Sequence, residues 1–112
     1  MKKPLITALF ALTAALTAGA QSRTEVYTFR SEVLGAEKSC TVYLPDGYDR
    51  SQESYPVLYL LHGASGCHTD WTLKGYMRRI TDETVASGMA RPMIVVMPDA
   101  AGEGENYTGR HM

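Results

Sequence analysis

Tyr55-Pro56-Val57-Leu58-Tyr59-Leu60-Leu61-His62-Gly63-Ala64-Ser65-Gly66 is the stretch that decides the fold. Val57–Leu61 is an unbroken apolar run, the pattern of a strand covered on both faces, as in a parallel sheet flanked by helices. Pro56 opens the run and His62-Gly63 closes it. Gly63 and Gly66 then let the backbone turn at the carboxyl edge of the sheet, where open α/β sheets collect their ligands. N–H groups pointing out of such a turn, near a helix start, suit negative charge developing on a carbonyl oxygen. The same glycines also suit a plain tight turn, and the pattern alone leaves both open.

Downstream, Leu73, Tyr76, Met77, Ile80, Thr84 and Val85 recur at three- and four-residue spacing, which predicts one helix over residues 71–87. Thr69 or Asp70 is expected to cap its start and Gly88 its end. Pro92 precedes a second apolar run, Met93–Met97, closed by Pro98-Asp99. Strand, helix and strand make a βαβ unit with a right-handed crossover. Upstream, Thr24–Ser31 alternates, Gly35 marks a turn, and Ser39–Leu44 stops at Pro45-Asp46-Gly47. These segments predict an antiparallel pair with one solvated face. Asp46–Tyr55 and the stretch after Asp99 are loop-like.

The 112 residues are 45% hydrophobic and 21% charged, with a net charge of −1, so the chain is globular in composition. Lys2 and Lys3 precede Leu5–Leu16, an apolar run interrupted only by Thr7 and Thr13, and Ala18-Gly19-Ala20 follows. This is the order of a secretory signal peptide, with cleavage expected after Ala20. Residues 4–20 are too few for a stable bilayer span, which takes about 20 apolar residues. The protein is therefore expected to be secreted or periplasmic, with residues 21–112 as its mature part. Without Lys2 and Lys3, nine basic residues face twelve acidic ones and no basic run occurs, which argues against a nucleic-acid partner.

Ser65 lies between a strand and a helix, but Gly66 falls one position too early for a G-x-S-x-G nucleophile elbow. Cys67 beside His68 is a weaker nucleophile candidate, because sequence neighbours need not face one another. His62, Cys67 and His68 lack the paired spacing of metal ligands, and no metal or cofactor is implied. His62 reads as a hydrogen-bonded turn residue, and Asp99, with no partner histidine in view, as a cap on the next loop. Whether Cys40 and Cys67 form a bridge is open; an oxidising compartment permits one.

Tyr55–Gly63, then Asp70-Trp71, then Ile94–Asp99 resemble the amino-terminal part of the Putative esterase family of α/β-hydrolases. That family includes feruloyl and acetylxylan esterases, S-formylglutathione hydrolase, enterochelin esterase and mycolyltransferases. Val42-Tyr43-Leu44-Pro45 fits its second strand, and Asn106-Tyr107-Thr108 its loop after the fourth. The resemblance implies a partial α/β-hydrolase fold, comprising the first four strands and first helix of a mainly parallel sheet. It also implies that the Ala64 backbone N–H forms half of an oxyanion hole. The family's serine elbow, acid and catalytic histidine lie on later strands, and no G-x-S-x-G occurs here. Residues 21–112 are thus expected to be the part before the nucleophile, inactive alone.

The expected function is an exported serine carboxylic-ester hydrolase, acting on feruloyl or acetyl esters of plant polysaccharide or on a small-molecule ester. Trp71 and Tyr107 are candidate substrate walls, against the plainer reading of packing residues. The alternatives are a non-catalytic carbohydrate- or partner-binding remnant and an acyltransferase of the same family. Family topology would leave Val57–Leu61 as an unpaired edge, with self-association as the expected consequence.

Overall fold

The computed structural model describes residues 21–100. The expected signal peptide and Tyr107 lie outside these residues. Two long strands open the fold, β1 (Arg23–Ser31) and β2 (Ala36–Leu44), paired antiparallel from Arg23↔Leu44 to Ser31↔Ala36. Gly35 takes φ 62° in the turn between them, a left-handed conformation that glycine adopts without a Cβ penalty. After a short 3-10 turn at Tyr48–Arg50, β3 (Val57–Tyr59) and β4 (Ile94–Pro98) run parallel to each other. β4 also pairs antiparallel with β2, so the sheet order is β1-β2-β4-β3.

Side chains alternate across this sheet, and one face carries the core. Tyr43 on β2 lies opposite Val95, and Thr41 opposite Met97; all four side chains are buried. Met77 closes over Tyr43, Val95 and Met97, with Leu60 and Met93 packed against the cluster. Each such apolar side chain contributes roughly 1.5–3 kcal/mol on leaving water.

The helix expected over residues 71–87 is two helices. α1 (Asp70–Leu73) ends where the N–H groups of Lys74 and Gly75 both return to the Asp70 carbonyl. Tyr76 then takes a left-handed conformation (φ 50°), and α2 (Met77–Ala86) starts in a new direction. Gly75 permits the break: a Cβ there would lie 2.9 Å from both the carbonyl oxygen and the Cε3 of Trp71. Thr69 stands at the start of α1, but its side chain makes no capping bond because its hydroxyl meets the Cys67 sulfur. Gly88 ends α2 as expected. Its N–H bonds to Val85 and that of Met89 to Thr84, the paired bonds of a Schellman motif.

β3 is shorter than the apolar run that predicts it. The Leu60 N–H still reaches the Val96 carbonyl at 2.9 Å, but regular strand pairing ends at Tyr59. The apolar run predicts a strand buried on both faces, and family topology predicts an unpaired edge: among the described residues β3 is that edge, and Val57, Leu58, Tyr59 and Leu61 are exposed rather than buried. No strand among the described residues pairs with its outer side.

Candidate active site

Parallel β3 and β4 deliver His62 and Asp99 to the same edge of the sheet. The His62 side chain is only 8% exposed there, although its partners Gly63 and Ala100 lie at the surface. Nδ1 lies 2.7 Å from the Gly63 carbonyl and Nε2 accepts the Ala100 N–H at 3.0 Å. A carbonyl only accepts and an amide N–H only donates, so the ring proton sits on Nδ1. His62 is therefore a turn residue, as its sequence context suggests. Asp99 departs from expectation: its Oδ1 lies 3.6 Å from Nε2 of His62, so it does have a histidine neighbour.

The turn itself is Gly63-Ala64-Ser65-Gly66, closed by the Gly66 N–H on the Gly63 carbonyl at 3.1 Å. Ser65 has φ 60° and Ala64 does not have positive φ, the signature of a type II turn. Gly63, Ala64 and Ser65 are exposed. Among the described residues, the N–H groups of Ala64 and Ser65 meet no carbonyl, whereas that of Gly66 is consumed by the turn. Gly66 is tightly held: a Cβ would fall 2.4 Å from Asp70 Oδ2 and 3.0 Å from the Gly63 carbonyl.

Asp70 braces the other side. Its Oδ1 receives Lys74 Nζ at 3.3 Å and the Cys67 thiol at 3.6 Å. Partial desolvation pushes its carboxyl upward, but Lys74 and the Cys67 thiol and amide outweigh this and hold it below the usual value. Trp71 donates its indole N–H to the Leu61 carbonyl at 2.9 Å, which fixes the ring beside the turn. His62, Gly63, Asp70, Trp71, Lys74 and Gly75 line an open pocket of 260 Å³. Trp71 thus lines this pocket while its indole is tied to the segment that follows β3.

The nucleophile candidates do not assemble. His68 is bonded to Thr41 through Nδ1 at 2.7 Å, and both ring nitrogens of His62 are engaged, so neither histidine is directed at Ser65. Cys67 faces Thr69 and Asp70 rather than His68. Cys40 and Cys67 are free thiols. Cys40 points to the sheet face opposite Thr41, and Thr41 is the residue that holds the 67–68 loop. Among the described residues no group of three His, Cys, Asp or Glu side chains is arranged to hold a metal ion. The Asp70 brace is absent from the sequence-based expectations, although the i,i+4 spacing of Asp70 and Lys74 signals the pair.

A family model described as "Putative esterase" matches residues 31–112. The chain belongs to this esterase family. An endo-1,4-beta-xylanase/feruloyl esterase of Xylanibacter ruminicola is 45% identical over 74 residues, covering 62% of this chain and 10% of that protein. Among solved structures, a ferulic acid esterase superposes with a TM-score of 0.71 at 40% identity, covering 73% of this chain and 32% of that one. An S-formylglutathione hydrolase from Agrobacterium tumefaciens gives 0.59 at 28% identity, covering 78% and 28%. The esterase chain therefore has a partial α/β-hydrolase fold, and it spans about a tenth of that curated relative and a third or less of those solved structures.

Proposed function

We propose that this chain is the amino-terminal part of an exported carboxylic-ester hydrolase acting on feruloyl-type esters. The observation that carries this is the Gly63–Gly66 turn, which places exposed Ala64 past the carboxyl ends of two parallel strands with an N–H that meets no carbonyl among the described residues. Ester cleavage by a serine hydrolase passes through a tetrahedral oxyanion that needs two such donors. Ala64 supplies one. The serine, its histidine and the acid belong to polypeptide outside these 112 residues, consistent with the greater length of the relatives. Serine attack moves charge onto the carbonyl oxygen; collapse expels the alcohol, and water then releases the acid. One oxyanion donor is worth about 3–4 kcal/mol in this scheme.

Trp71, fixed by its bond to Leu61, offers an aromatic wall for the acyl group, and Tyr107 is proposed as a second one. The feruloyl class comes from the names of the xylanase/feruloyl esterase and ferulic acid esterase relatives. Residues 1–20 direct export by their charged, apolar and small-residue order. No helix among the described residues is long and apolar enough to cross a membrane.

The test is ferulate release from methyl ferulate by the full-length protein and by residues 21–112 alone. Turnover by the former with none by the latter is expected. Hydrolysis by the shorter chain that Ser65→Ala abolishes would overturn the assignment of the nucleophile.

A further inference from the structure

At the opposite end of β4, the chain entering β1 is pinned by its second described residue. Ser22 is 4% exposed; its hydroxyl donates to Asp82 Oδ2 at 2.7 Å and accepts from Arg78 Nε at 3.2 Å. The Arg78 guanidinium also donates to the Ser22 carbonyl. Asp82 accepts the Tyr43 hydroxyl at 2.6 Å on its other oxygen, so β1, β2 and α2 meet at this point. Gln21, one residue earlier, is exposed at a 350 Å³ pocket lined by apolar Pro45, Val85 and Pro92 and by the Asp46 carboxylate.

Export with cleavage after Ala20 makes Gln21 the first residue of the mature protein. Resting on that reading of export, we infer that Gln21 is a modification site, closing to a pyroglutamyl lactam that blocks the mature amino terminus. The α-amine attacks the side-chain amide carbon, the new C–N bond closes a five-membered ring, and the amide nitrogen leaves as ammonia with the amine's proton. No oxidant or co-substrate is consumed. The geometry favours it because the fold holds the backbone from Ser22 onward, whereas Gln21 is exposed and its side-chain amide meets no hydrogen-bond partner among the described residues. The product is neutral, which suits an apolar rim beside the Arg78 guanidinium, and it denies aminopeptidases the free amine they require.

The experiment is intact-mass analysis and amino-terminal sequencing of the protein recovered after export from its native host. A chain starting at residue 21, lighter than the unmodified form by one ammonia and unreadable by Edman chemistry until pyroglutamyl peptidase treatment, is expected. Gln21→Asn should be exported with a readable terminus. A wild-type chain starting at Gln21 with a free amine, as an ion pair with Asp46 would favour, overturns the inference and leaves the cleavage site standing. A chain that keeps residues 1–20 or starts elsewhere overturns the cleavage assignment and the lactam with it.

Discussion

The Ala100 N–H donates to Nε2 of His62 at 3.0 Å and so ties the exit of β4 to the turn that follows β3. These residues are 38 apart in sequence, and the bond links the segments that leave β3 and β4. Through Nδ1, the same ring holds the Gly63 carbonyl. One imidazole thus fixes the entry of the turn on which the Ala64 N–H depends.

Replacing His62 with Leu removes the acceptor of the exposed Ala100 N–H, which water can then take up, and removes the ring bond to the Gly63 carbonyl. A cost of about 0.5–1.5 kcal/mol is expected, read as a lower urea midpoint at unchanged slope. His62→Gln, which keeps an acceptor, should lose less. Equal stability of the Leu variant and wild type would remove the clamp.

Tyr43 contributes to the alkaline limit. Burial, and then the hydrogen bond to Asp82, pushes its phenol well above the ordinary tyrosine value. Both states hold the proton below the unfolded value near ~10, so stability is constant there. Above it the unfolded phenol ionises while the folded one does not, and stability falls as pH rises. Tyr43→Phe should cost about 1 kcal/mol at neutral pH and flatten the decline in denaturant midpoint above pH ~10. An unchanged alkaline slope would assign that limit to other groups.

Among the described residues the exposed edge at Val57–Tyr59 has no strand partner on its outer side, which offers its backbone to another chain. Residues 21–112 alone are expected to associate in a concentration-dependent way, and Leu58→Lys should reduce this by placing charge on the strand. Light scattering from a monodisperse wild-type monomer across the concentration range would contradict it.

Much of this fold is legible in local pattern. The two apolar runs give β3 and β4, alternation gives β1 and β2, and Gly88 marks the end of α2. The break at Gly75-Tyr76 is hidden because the apolar spacing continues across it; only the contact of Gly75 with Trp71 shows why the helix stops. The Tyr43–Asp82 and His62–Ala100 bonds are equally hidden, since each joins residues nearly forty apart and no periodicity encodes such a pair. Exposure of β3 contradicts its own composition: an apolar run reports the burial a strand is built for, whereas its neighbours determine the burial it has. At the site, glycine spacing places Ala64 in the turn, but which N–H groups stay unpaired depends on the left-handed Ser65 and could be read only from the backbone.

The most direct measurement removes one hydrogen from the turn. Ala64 occupies the second position of a type II turn, where proline is favoured, so Ala64→Pro deletes the N–H while matching the local geometry. In the full-length protein, kcat for methyl ferulate should fall by roughly 10²–10³ with KM nearly unchanged and the fold intact by circular dichroism. A folded Ala64→Pro protein that retains wild-type kcat would contradict the oxyanion role given to this turn.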